Sequence, residues 1–239
     1  MLFFPSKSSL AEAGVLNGLV DWHSHILPGV DDGVVSMEES LRILTFYEEA
    51  GVRTVWLTPH VMEDIPNSTL GLKDSFESLK SEWKGKVELC LASENMLDAL
   101  FEERLKADDL LPIGKEGKHL LVETSYYTAP YGLEHRLDAI RNKGYTAILA
   151  HPERYAYMNE PDYDKLKSQG VLFQLNLMSV IGMYGPVARK KADWLIKKGY
   201  VDLLGSDIHR FKHLEEGLLR KAVTKKTIDI LLQIKNRKK

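Results

Sequence analysis

The sequence predicts one α/β domain in which parallel strands and crossover helices close into a seven-stranded βα barrel. Strand and helix patterns alternate along the chain with a period of about 30 residues, as in βαβ units. Most predicted strands are nearly continuous apolar runs, which is typical of parallel strands buried on both faces. Six of the seven strands end in a side chain that can bind a metal ion. An open sheet would bring together only the ends near its switch point, whereas a barrel brings all of them to one mouth.

The seven predicted strands lie within short apolar segments of the chain. In chain order these segments are GLVDWHSH, GVRTVWLTPH, KVELCLASE, KHLLVETS, GYTAILAHPE, GVLFQLNLMS and GYVDLLGSDIH. Four of them follow a charged helical end and begin at a glycine, namely Gly51, Gly144, Gly170 and Gly199. Glycine adopts the left-handed conformation that ends a helix, so these positions mark boundaries between helix and strand.

The predicted helices have apolar residues spaced three and four apart, which indicates one buried face. They are SMEESLRILTFYEEA, LKDSFESLKSEW, LEHRLDAIRNK and VARKKADWLIKK. The first one opens with Ser36 and Glu39 at the spacing of a capping box, in which each side chain accepts a hydrogen bond from the other residue's backbone. The charged residues between the apolar positions predict solvated outer faces.

Composition excludes several classes of function. At 239 residues the chain is long enough for one sizeable core, and its net charge of −2 gives no electrostatic footprint for nucleic acid. Cys90 is the single cysteine, which excludes an intramolecular disulfide framework and fits a reducing compartment. No apolar run is long enough for membrane insertion. We expect a cytoplasmic protein with an N-terminal extension over 1–17 and one barrel domain over 18–239.

Most of the candidate metal-binding side chains stand at the carboxyl ends of the predicted strands. His23 and His25 end the first strand and, two residues apart, point to the same face. The other strand-end candidates are His60, Glu94, Glu123, His151, and the pair Asp207 and His209, while Asp31 and Asp32 follow the first strand. The sixth strand ends in Asn176, a weak ligand. Imidazole and carboxylate donors without thiolate suit zinc, manganese or iron, and their number exceeds what one ion needs.

Several divalent ions at one mouth favour the hydrolysis of anionic substrates, above all phosphate esters. A basic side chain that binds phosphate is then expected nearby. Arg154, three residues after His151, is the first candidate, and Arg210, next to His209, is the second. Three further histidines, His119, His135 and His213, fall at a strand start or in helices, so we expect surface or packing roles for them.

The segments HSH, TPH, SE, VE, AHPER and SDIH occur in the order found in the PHP superfamily, named after polymerase and histidinol phosphatase domains. The resemblance covers residues 20 to about 213. More narrowly, DWHSHILPGVDDG and AHPERY resemble the CpsB/YwqE-type bacterial protein-tyrosine phosphatases, which are encoded with capsular and exopolysaccharide genes. This resemblance implies a distorted, TIM-like seven-stranded barrel with a trinuclear metal site.

The resemblance also implies a distribution of ligands. His23, His25, Glu94 and Asp207 would hold the first ion. Glu94, Glu123 and His151 would hold the second, and His60, His209 and either Asp31 or Asp32 the third. We expect two to three divalent ions, manganese first, with iron, zinc or magnesium as alternatives. Arg154 matches the family's phosphate-binding arginine, whereas Arg210 follows the final histidine directly and does not match the position of the family's second arginine.

The predicted function is that of a metal-dependent protein-tyrosine phosphatase in which a metal-bound hydroxide attacks phosphotyrosine. Arg154 would stabilise the phosphoryl charge, and Asp207 or His209 would assist the leaving group. By resemblance, the substrate would be a bacterial tyrosine kinase that controls capsular or exopolysaccharide synthesis, and an oligomer is compatible with the sequence. The loop TSYYTAPYG, with Tyr126, Tyr127 and Tyr131, would present an aromatic wall to the substrate or pack at the rim.

Three alternatives stay open. The first is a small-molecule phosphatase of the same superfamily, acting on a substrate such as histidinol phosphate. The second is an amidohydrolase-type metal enzyme, which would favour lysine at the middle strand end that Glu123 occupies. The third is a non-enzymatic scaffold, whose signature would be lost ligands. A thiol phosphatase is excluded because it needs an arginine six positions after its cysteine, and Met96 stands there relative to Cys90.

Overall fold

The computed structural model describes residues 6–237 and contains parallel strands connected by helices. The strands of the described chain are β1 Lys7–Ser8, β2 Val20–Ser24, β3 Thr54–Leu57, β4 His60–Val61, β5 Glu88–Leu91, β6 Glu94–Met96, β7 His119–Glu123, β8 Thr146–Ala150, β9 Leu172–Asn176, β10 Leu203–Gly205 and β11 Val223–Thr224. Each of the seven predicted strand segments contains at least one of them.

The helices lie between these strands. They are α1 Met37–Glu49, α2 Thr69–Glu82, α3 Ala99–Ala107, α4 Leu133–Asn142, α5 Glu160–Ser168, α6 Leu177–Val180, α7 Gly185–Lys198, α8 Phe211–Leu218 and α9 Lys225–Lys235, with a 3-10 turn at Pro152–Arg154. The four helices predicted from the spacing of apolar residues correspond to α1, α2, α4 and α7.

The start of α1 differs from the predicted capping box in one of its two hydrogen bonds. Ser36 Oγ accepts from the backbone N–H of Glu39 at 3.2 Å, as expected. Glu39 Oε1 instead accepts from the backbone N–H of Phe211 at 2.9 Å. Its carboxylate therefore joins α1 to the start of α8, two residues after the last predicted ligand, His209.

The strands form a six-stranded sheet in the order β10-β9-β8-β7-β6-β4 and a three-stranded sheet in the order β2-β3-β5. All pairings within these two sheets are parallel, and β1 pairs with β11 in a separate antiparallel ladder. The fold is thus mixed α/β with a curled, half-barrel sheet of six parallel strands. A closed seven-stranded barrel is not confirmed, because the ladders fall into two sheets.

Proline explains part of this division. Pro59 interrupts the second predicted strand and has no backbone N–H to donate to the ladder. Its carbonyl still accepts from the backbone N–H of Glu94 at 3.1 Å. The second and third predicted strands therefore run from the three-stranded sheet, as β3 and β5, into the six-stranded sheet, as β4 and β6.

Hydrogen bonds also join the ends of the first and last predicted strands. The backbone N–H of Asp207 donates to the carbonyl of His23 at 2.8 Å, and the N–H of His25 donates to the carbonyl of Ile208 at 3.0 Å. These bonds lie beyond the last ladder residue of β10. They place the segment that carries His23 and His25 beside the segment that carries Asp207 and His209.

The core has two apolar layers because successive strand residues point to opposite faces. Leu120 and Val122 belong to the larger cluster, into which the helices pack, whereas Leu121 belongs to a smaller cluster with Trp56 and Ile148. The smaller cluster fills the inner side of the curved sheets.

Part of the predicted N-terminal extension packs into the larger cluster. Leu10, Val15 and Leu16 are buried, and Lys7 and Ser8 form β1 against β11. The division of the chain at residue 18 stays a prediction. Within residues 6–237, no helix combines the length and the apolar character needed to cross a bilayer.

Candidate metal centre

Nine of the ten predicted ligands form four overlapping groups, in each of which the donor atoms lie within 4.8 Å of one another. The groups are His25, Asp32, His60 and His209; His23, His25 and Asp207; His23, Glu94 and His151; and His60, Glu94 and Glu123. Seven separate strand or loop segments contribute to them. The tenth predicted ligand, Asp31, belongs to none of these groups.

Two of these residues have an unusual backbone conformation. His151 has φ 32° and Asp207 has φ 53°, and Asp108 is the only other non-glycine residue with positive φ in the described chain. This left-handed region costs a non-glycine residue about 1–3 kcal/mol and is concentrated at functional sites. The conformation turns the chain sharply at the ends of β8 and β10, where both side chains enter the cluster.

Glu94 lies at the centre of the cluster. Its Oε2 atom is 3.1 Å from His23 Nε2, 3.3 Å from His25 Nε2 and 3.1 Å from His60 Nδ1, and its Oε1 atom is 3.0 Å from His151 Nε2. Burial would raise the pKa of Glu94, but His23 and His60 outweigh it and hold the pKa well below its usual range. Glu94 is therefore a carboxylate that can bridge neighbouring sites.

Three potential metal-binding atoms that face one another at this centre are buried without a hydrogen-bond partner: His60 Nδ1, Glu94 Oε2 and Glu123 Oε1. His151 Nδ1 is a fourth buried atom of a candidate ligand without a partner. His60 Nδ1 is 3.0 Å from Glu123 Oε1 and 3.1 Å from Glu94 Oε2. Unsatisfied buried polar atoms are rare because they lose the hydrogen bonds that water would make. A divalent cation would satisfy all three, and the imidazole and carboxylate donors suit one. The residues therefore fit a metal site.

The structure separates the two candidate aspartates. Asp32 Oδ1 is 3.5 Å from His60 Nε2 and 3.4 Å from His209 Nε2. The hydrogen bond with His209 lowers the pKa of Asp32 to about 2, against the opposing effect of burial. Asp31 instead accepts from His25 Nδ1 at 2.8 Å and from the backbone N–H of His60 at 3.1 Å. Asp32 faces the cluster as a candidate ligand, and Asp31 orients the ring of His25 from behind.

Both histidines of the HSH segment present Nε2 to the cluster. Asp207 Oδ1 is 3.5 Å from His23 Nε2 and 3.3 Å from His25 Nε2. Although burial lowers it, the carboxylates of Glu94 and Asp207 raise the pKa of His23 to about 9. Gly33 makes room behind His25, because a Cβ atom at Gly33 would lie 2.5 Å from His25 Cβ.

Arg154 projects toward the same site from the 3-10 turn. Its NH1 atom donates to Asp207 Oδ2 at 2.7 Å, and its guanidinium lies 4.3 Å from the ring centre of Tyr126 and 4.1 Å from that of Tyr184. Asp207 Oδ2 also accepts from Asn176 Nδ2 at 2.6 Å. Burial would raise the pKa of Asp207, but the neighbouring histidines hold it well below its usual value. Asp207 is thus an ionised acceptor rather than a proton donor.

A family described as "Capsular polysaccharide synthesis, CpsB/CapC" matches residues 19–229 of this chain. The chain belongs to the CpsB/CapC family.

Curated relatives of this CpsB/CapC protein have names that refer to tyrosine phosphatases. The tyrosine-protein phosphatase YwqE of Bacillus subtilis is 25% identical over 84% of this chain and 82% of its own length. The tyrosine-protein phosphatase CpsB of Streptococcus pneumoniae is 29% identical over 80% of this chain and 83% of its own length. A putative tyrosine-protein phosphatase, CapC of Staphylococcus aureus, is 28% identical over 80% of this chain.

A solved structure supports the fold of this CpsB/CapC protein. It comes from work on YwqE of Bacillus subtilis and CpsB of Streptococcus pneumoniae, which that work describes as metal-dependent tyrosine phosphatases. The TM-score is 0.76 at 22% identity, covering 91% of this chain and 96% of the other. The likeness extends over nearly the whole chain.

The other predicted candidates are not members of the four candidate ligand groups of this CpsB/CapC protein. Arg210 NH1 donates to the carbonyls of Gly33 and His209, so it joins two ligand-bearing segments through their backbones. Tyr127 and Tyr131 are 82% and 98% exposed, and only Tyr126 of that loop contacts Arg154. His119, His135 and His213 are absent from the four groups formed by the described residues.

Sequence reasoning missed Gln174 and Tyr184 and considered Asn176 only as a weak ligand, although all three contact the candidate ligands or Arg154. Gln174 Oε1 lies 2.8 Å from His23 Nδ1, a contact between residues 151 positions apart. Gln174 and Asn176 are two residues apart on β9. The one available signal was therefore that their side chains point to the same face of the strand. Tyr184 precedes α7 and carried no recognisable signal.

Proposed function

We propose that this CpsB/CapC protein is a metal-dependent protein-tyrosine phosphatase. The observation that carries the proposal is the set of four overlapping ligand groups, two of which share Glu94, with Arg154 paired to one of the ligands. Buried donors without hydrogen-bond partners support a cation there, and the adjacent guanidinium supports an anionic substrate. The phosphatase names of the relatives agree with the anionic substrate, and the description of YwqE and CpsB as metal-dependent agrees with the cation.

The proposed site holds two to three divalent ions, with manganese as the first choice and iron, zinc or magnesium as alternatives. His23, His25, Glu94 and Asp207 would hold one ion, and Glu94, Glu123 and His151 a second. His60, Asp32 and His209 would hold a third. When bound, such ions supply Lewis-acid polarisation of phosphoryl oxygens and lower the pKa of coordinated water. We also infer that the two sheets act as one seven-position barrel, closed by the bonds between the segments of His23 and Asp207.

Arg154 would bind the phosphoryl group. Its guanidinium packs against the rings of Tyr126 and Tyr184. One edge donates to Asp207, which leaves further N–H donors for phosphoryl oxygens. The rings restrict the rotation of the guanidinium, which orients it before substrate binds.

The leaving group needs little help from an acid. A tyrosine phenolate has a reference pKa of about 10 and leaves more easily than an alkoxide. The low pKa of Asp207 makes it unsuitable as the proton donor. His209 is more exposed than Asp207, and its Nδ1 lies 2.9 Å from the Asp207 carbonyl, so Nε2 is the nitrogen that faces the site. His209 could donate a proton from Nε2 only when that atom does not hold the third ion.

The proposed physiological substrate is a phosphotyrosine segment of a bacterial tyrosine kinase that controls capsular or exopolysaccharide synthesis. The family description and the names of the relatives support this choice. A cytoplasmic location and an oligomeric assembly are compatible with it. We expect the phosphotyrosine to lie in a flexible segment of the substrate. The candidate ligands are buried at strand ends that open at one mouth, and an extended chain reaches such a site more readily than a folded surface does.

Side-by-side hydrolysis tests this function. We expect phosphate release from a phosphotyrosine peptide, loss of turnover after chelation, and recovery with Mn²⁺. Faster turnover of histidinol phosphate than of the peptide would favour the small-molecule phosphatase instead. Hydrolysis of a lactone or cyclic amide without phosphate release would favour the amidohydrolase alternative.

A further inference from the structure

Strand β9 is the one predicted strand that ends without a histidine or an acidic ligand, yet it contributes two fully buried amides to the centre. Gln174 Oε1 is 2.8 Å from His23 Nδ1, and Gln174 Nε2 donates to Asn176 Oδ1 at 2.9 Å. Asn176 Nδ2 then donates to Asp207 Oδ2 at 2.6 Å. The two amides form an unbroken chain of hydrogen bonds, the amide relay, between two candidate ligands of the same group.

The direction of the relay can be derived from its two ends. At one end, Asp207 Oδ2 already accepts from Arg154, whose guanidinium only donates, so Asn176 must present Nδ2 to this oxygen. Asn176 Oδ1 then faces Gln174, which must donate through Nε2. At the other end, the backbone N–H of His151 donates to Gln174 Oε1 at 3.3 Å. Both ends therefore give the same orientation of the Gln174 amide.

This orientation decides which nitrogen of His23 carries a proton. Gln174 presents an acceptor oxygen to Nδ1, so Nδ1 donates and the lone pair of the neutral ring is on Nε2. Nε2 is the atom that faces Glu94 and Asp207. A reversed Gln174 amide would favour the opposite tautomer, in which a proton on Nε2 blocks coordination.

The backbone is shaped to accommodate the relay. Gly205, the last residue of β10, lies against both Gln174 and His23. A Cβ atom at Gly205 would lie 2.5 Å from Gln174 Nε2 and 2.6 Å from His23 Cβ, closer than side-chain carbons approach other atoms. Glycine is required at this position for space, and any larger residue would displace the relay from the histidine.

We propose that Gln174 and Asn176 are positioning residues that hold His23 in the tautomer with the proton on Nδ1 and Nε2 free for a metal ion. The inference rests on the proposed metal site and adds to it a group that touches neither substrate nor metal. His25 provides an internal comparison, because the Asp31 carboxylate holds its Nδ1 instead and does not depend on the relay.

The test uses Zn²⁺ as a diamagnetic probe and ¹⁵N-labelled histidine. In the Zn²⁺-loaded wild-type protein, NMR should show His23 with a protonated Nδ1 and a ligated Nε2. Gln174→Met keeps the length of the side chain but removes both polar ends. We expect it to weaken Zn²⁺ binding by about 10- to 100-fold, the usual effect of removing a partner that orients a ligand. The defined Nδ1–H signal of His23 should be lost while that of His25 is unchanged.

Two further variants keep the inference falsifiable. Leu175→Met alters the same strand on its other face, in the larger apolar cluster, and should leave Zn²⁺ affinity and the His23 signals unchanged. Gln174→Glu retains an acceptor oxygen opposite Nδ1 and should retain the His23 tautomer. Equal behaviour of Gln174→Met and Leu175→Met would overturn the relay.

The wild-type spectrum alone decides the question if Gln174→Met does not fold. A ligated Nδ1 on His23 in the wild-type protein would reverse the inferred direction and refute the inference. Failure of the wild-type protein to bind Zn²⁺ or Mn²⁺ would instead refute the proposed metal site itself. Binding and phosphatase activity with an unaffected His23 in Gln174→Met would refute the relay alone.

Discussion

Replacing Arg154 by lysine tests the role of the guanidinium while retaining its charge. Lysine can still pair with Asp207, which Arg154 contacts at 2.7 Å. It cannot present a planar fork of donors to two phosphoryl oxygens at once. If the fork binds more strongly as charge develops in the transition state, the loss should fall on kcat as well as on binding. We expect a loss of about 100-fold, as when one donor to a developing oxyanion is removed.

The effect on stability can be worked out separately. Arg154→Lys weakens two stacking contacts, with Tyr126 at 4.3 Å and Tyr184 at 4.1 Å. Each cation–π contact contributes about 0.5–1 kcal/mol when partly exposed. The free energy of unfolding should therefore fall by roughly 1–2 kcal/mol. At about 2–4 °C per kcal/mol for a chain of this size, the Tm should fall by roughly 2–8 °C.

Arg136→Lys provides a matched control. Arg136 is 18% exposed, close to the 19% of Arg154, and pairs with Glu102 at 2.8 Å outside the candidate centre. The assay measures phosphotyrosine-peptide kinetics, metal content and Tm for both variants. Arg154→Lys should retain its metal, since arginine is not a ligand, and Arg136→Lys should retain its activity. Near-normal kcat/KM in Arg154→Lys would refute the phosphate-binding role, and Arg210 would become the candidate.

Three other predictions concern the thiol, the aspartate pair and the histidines. Cys90→Ser should retain turnover, because the half-buried thiol has a pKa raised by burial and lies in β5; loss of turnover in folded, metal-loaded protein would contradict a metal-based reaction. Asp32→Asn should lower metal stoichiometry by about one equivalent, whereas Asp31→Asn should lower metal affinity by about 10- to 100-fold at unchanged stoichiometry. Elemental analysis measures the stoichiometry and titration the affinity, and the reverse pattern would exchange the roles of the two aspartates. Without metal, the raised pKa of His23 stabilises the fold below about pH 6.5, and this stabilisation is lost as pH rises through about 9; metal affinity should rise over the same interval because binding displaces the proton. A pH-independent metal affinity, measured by calorimetry, would contradict this assignment.

The positions of the ligands could be predicted because parallel strands place their carboxyl ends on one side of a fold. Apolar runs that end in His60, Glu94, Glu123 or His151 contain that information directly. The sequence could not choose between Asp31 and Asp32, which are adjacent and chemically identical. Their roles differ only because the loop places one behind His25 and the other opposite His60 and His209.

The rest of the centre depends on contacts between residues far apart in the chain. Gln174 reaches His23 across 151 positions, and Arg154 reaches Asp207 across 53. Local patterns carry no signal for such pairs. The division into two sheets could not be predicted because it also depends on a contact between distant residues. The backbone N–H of Glu94 donates to the carbonyl of Pro59, and beyond Pro59 the interrupted second strand pairs in a different ladder.

The central claim is that the clustered side chains bind more than one metal ion and that hydrolysis of phosphotyrosine depends on those ions. The most direct test is a titration of chelator-treated, metal-free protein with Mn²⁺, in which phosphotyrosine-peptide turnover is measured at each ratio of metal to chain. We predict no turnover without metal and a plateau reached only beyond one equivalent, at two to three. Turnover in the metal-free protein, or a plateau at or below one equivalent, would contradict the claim.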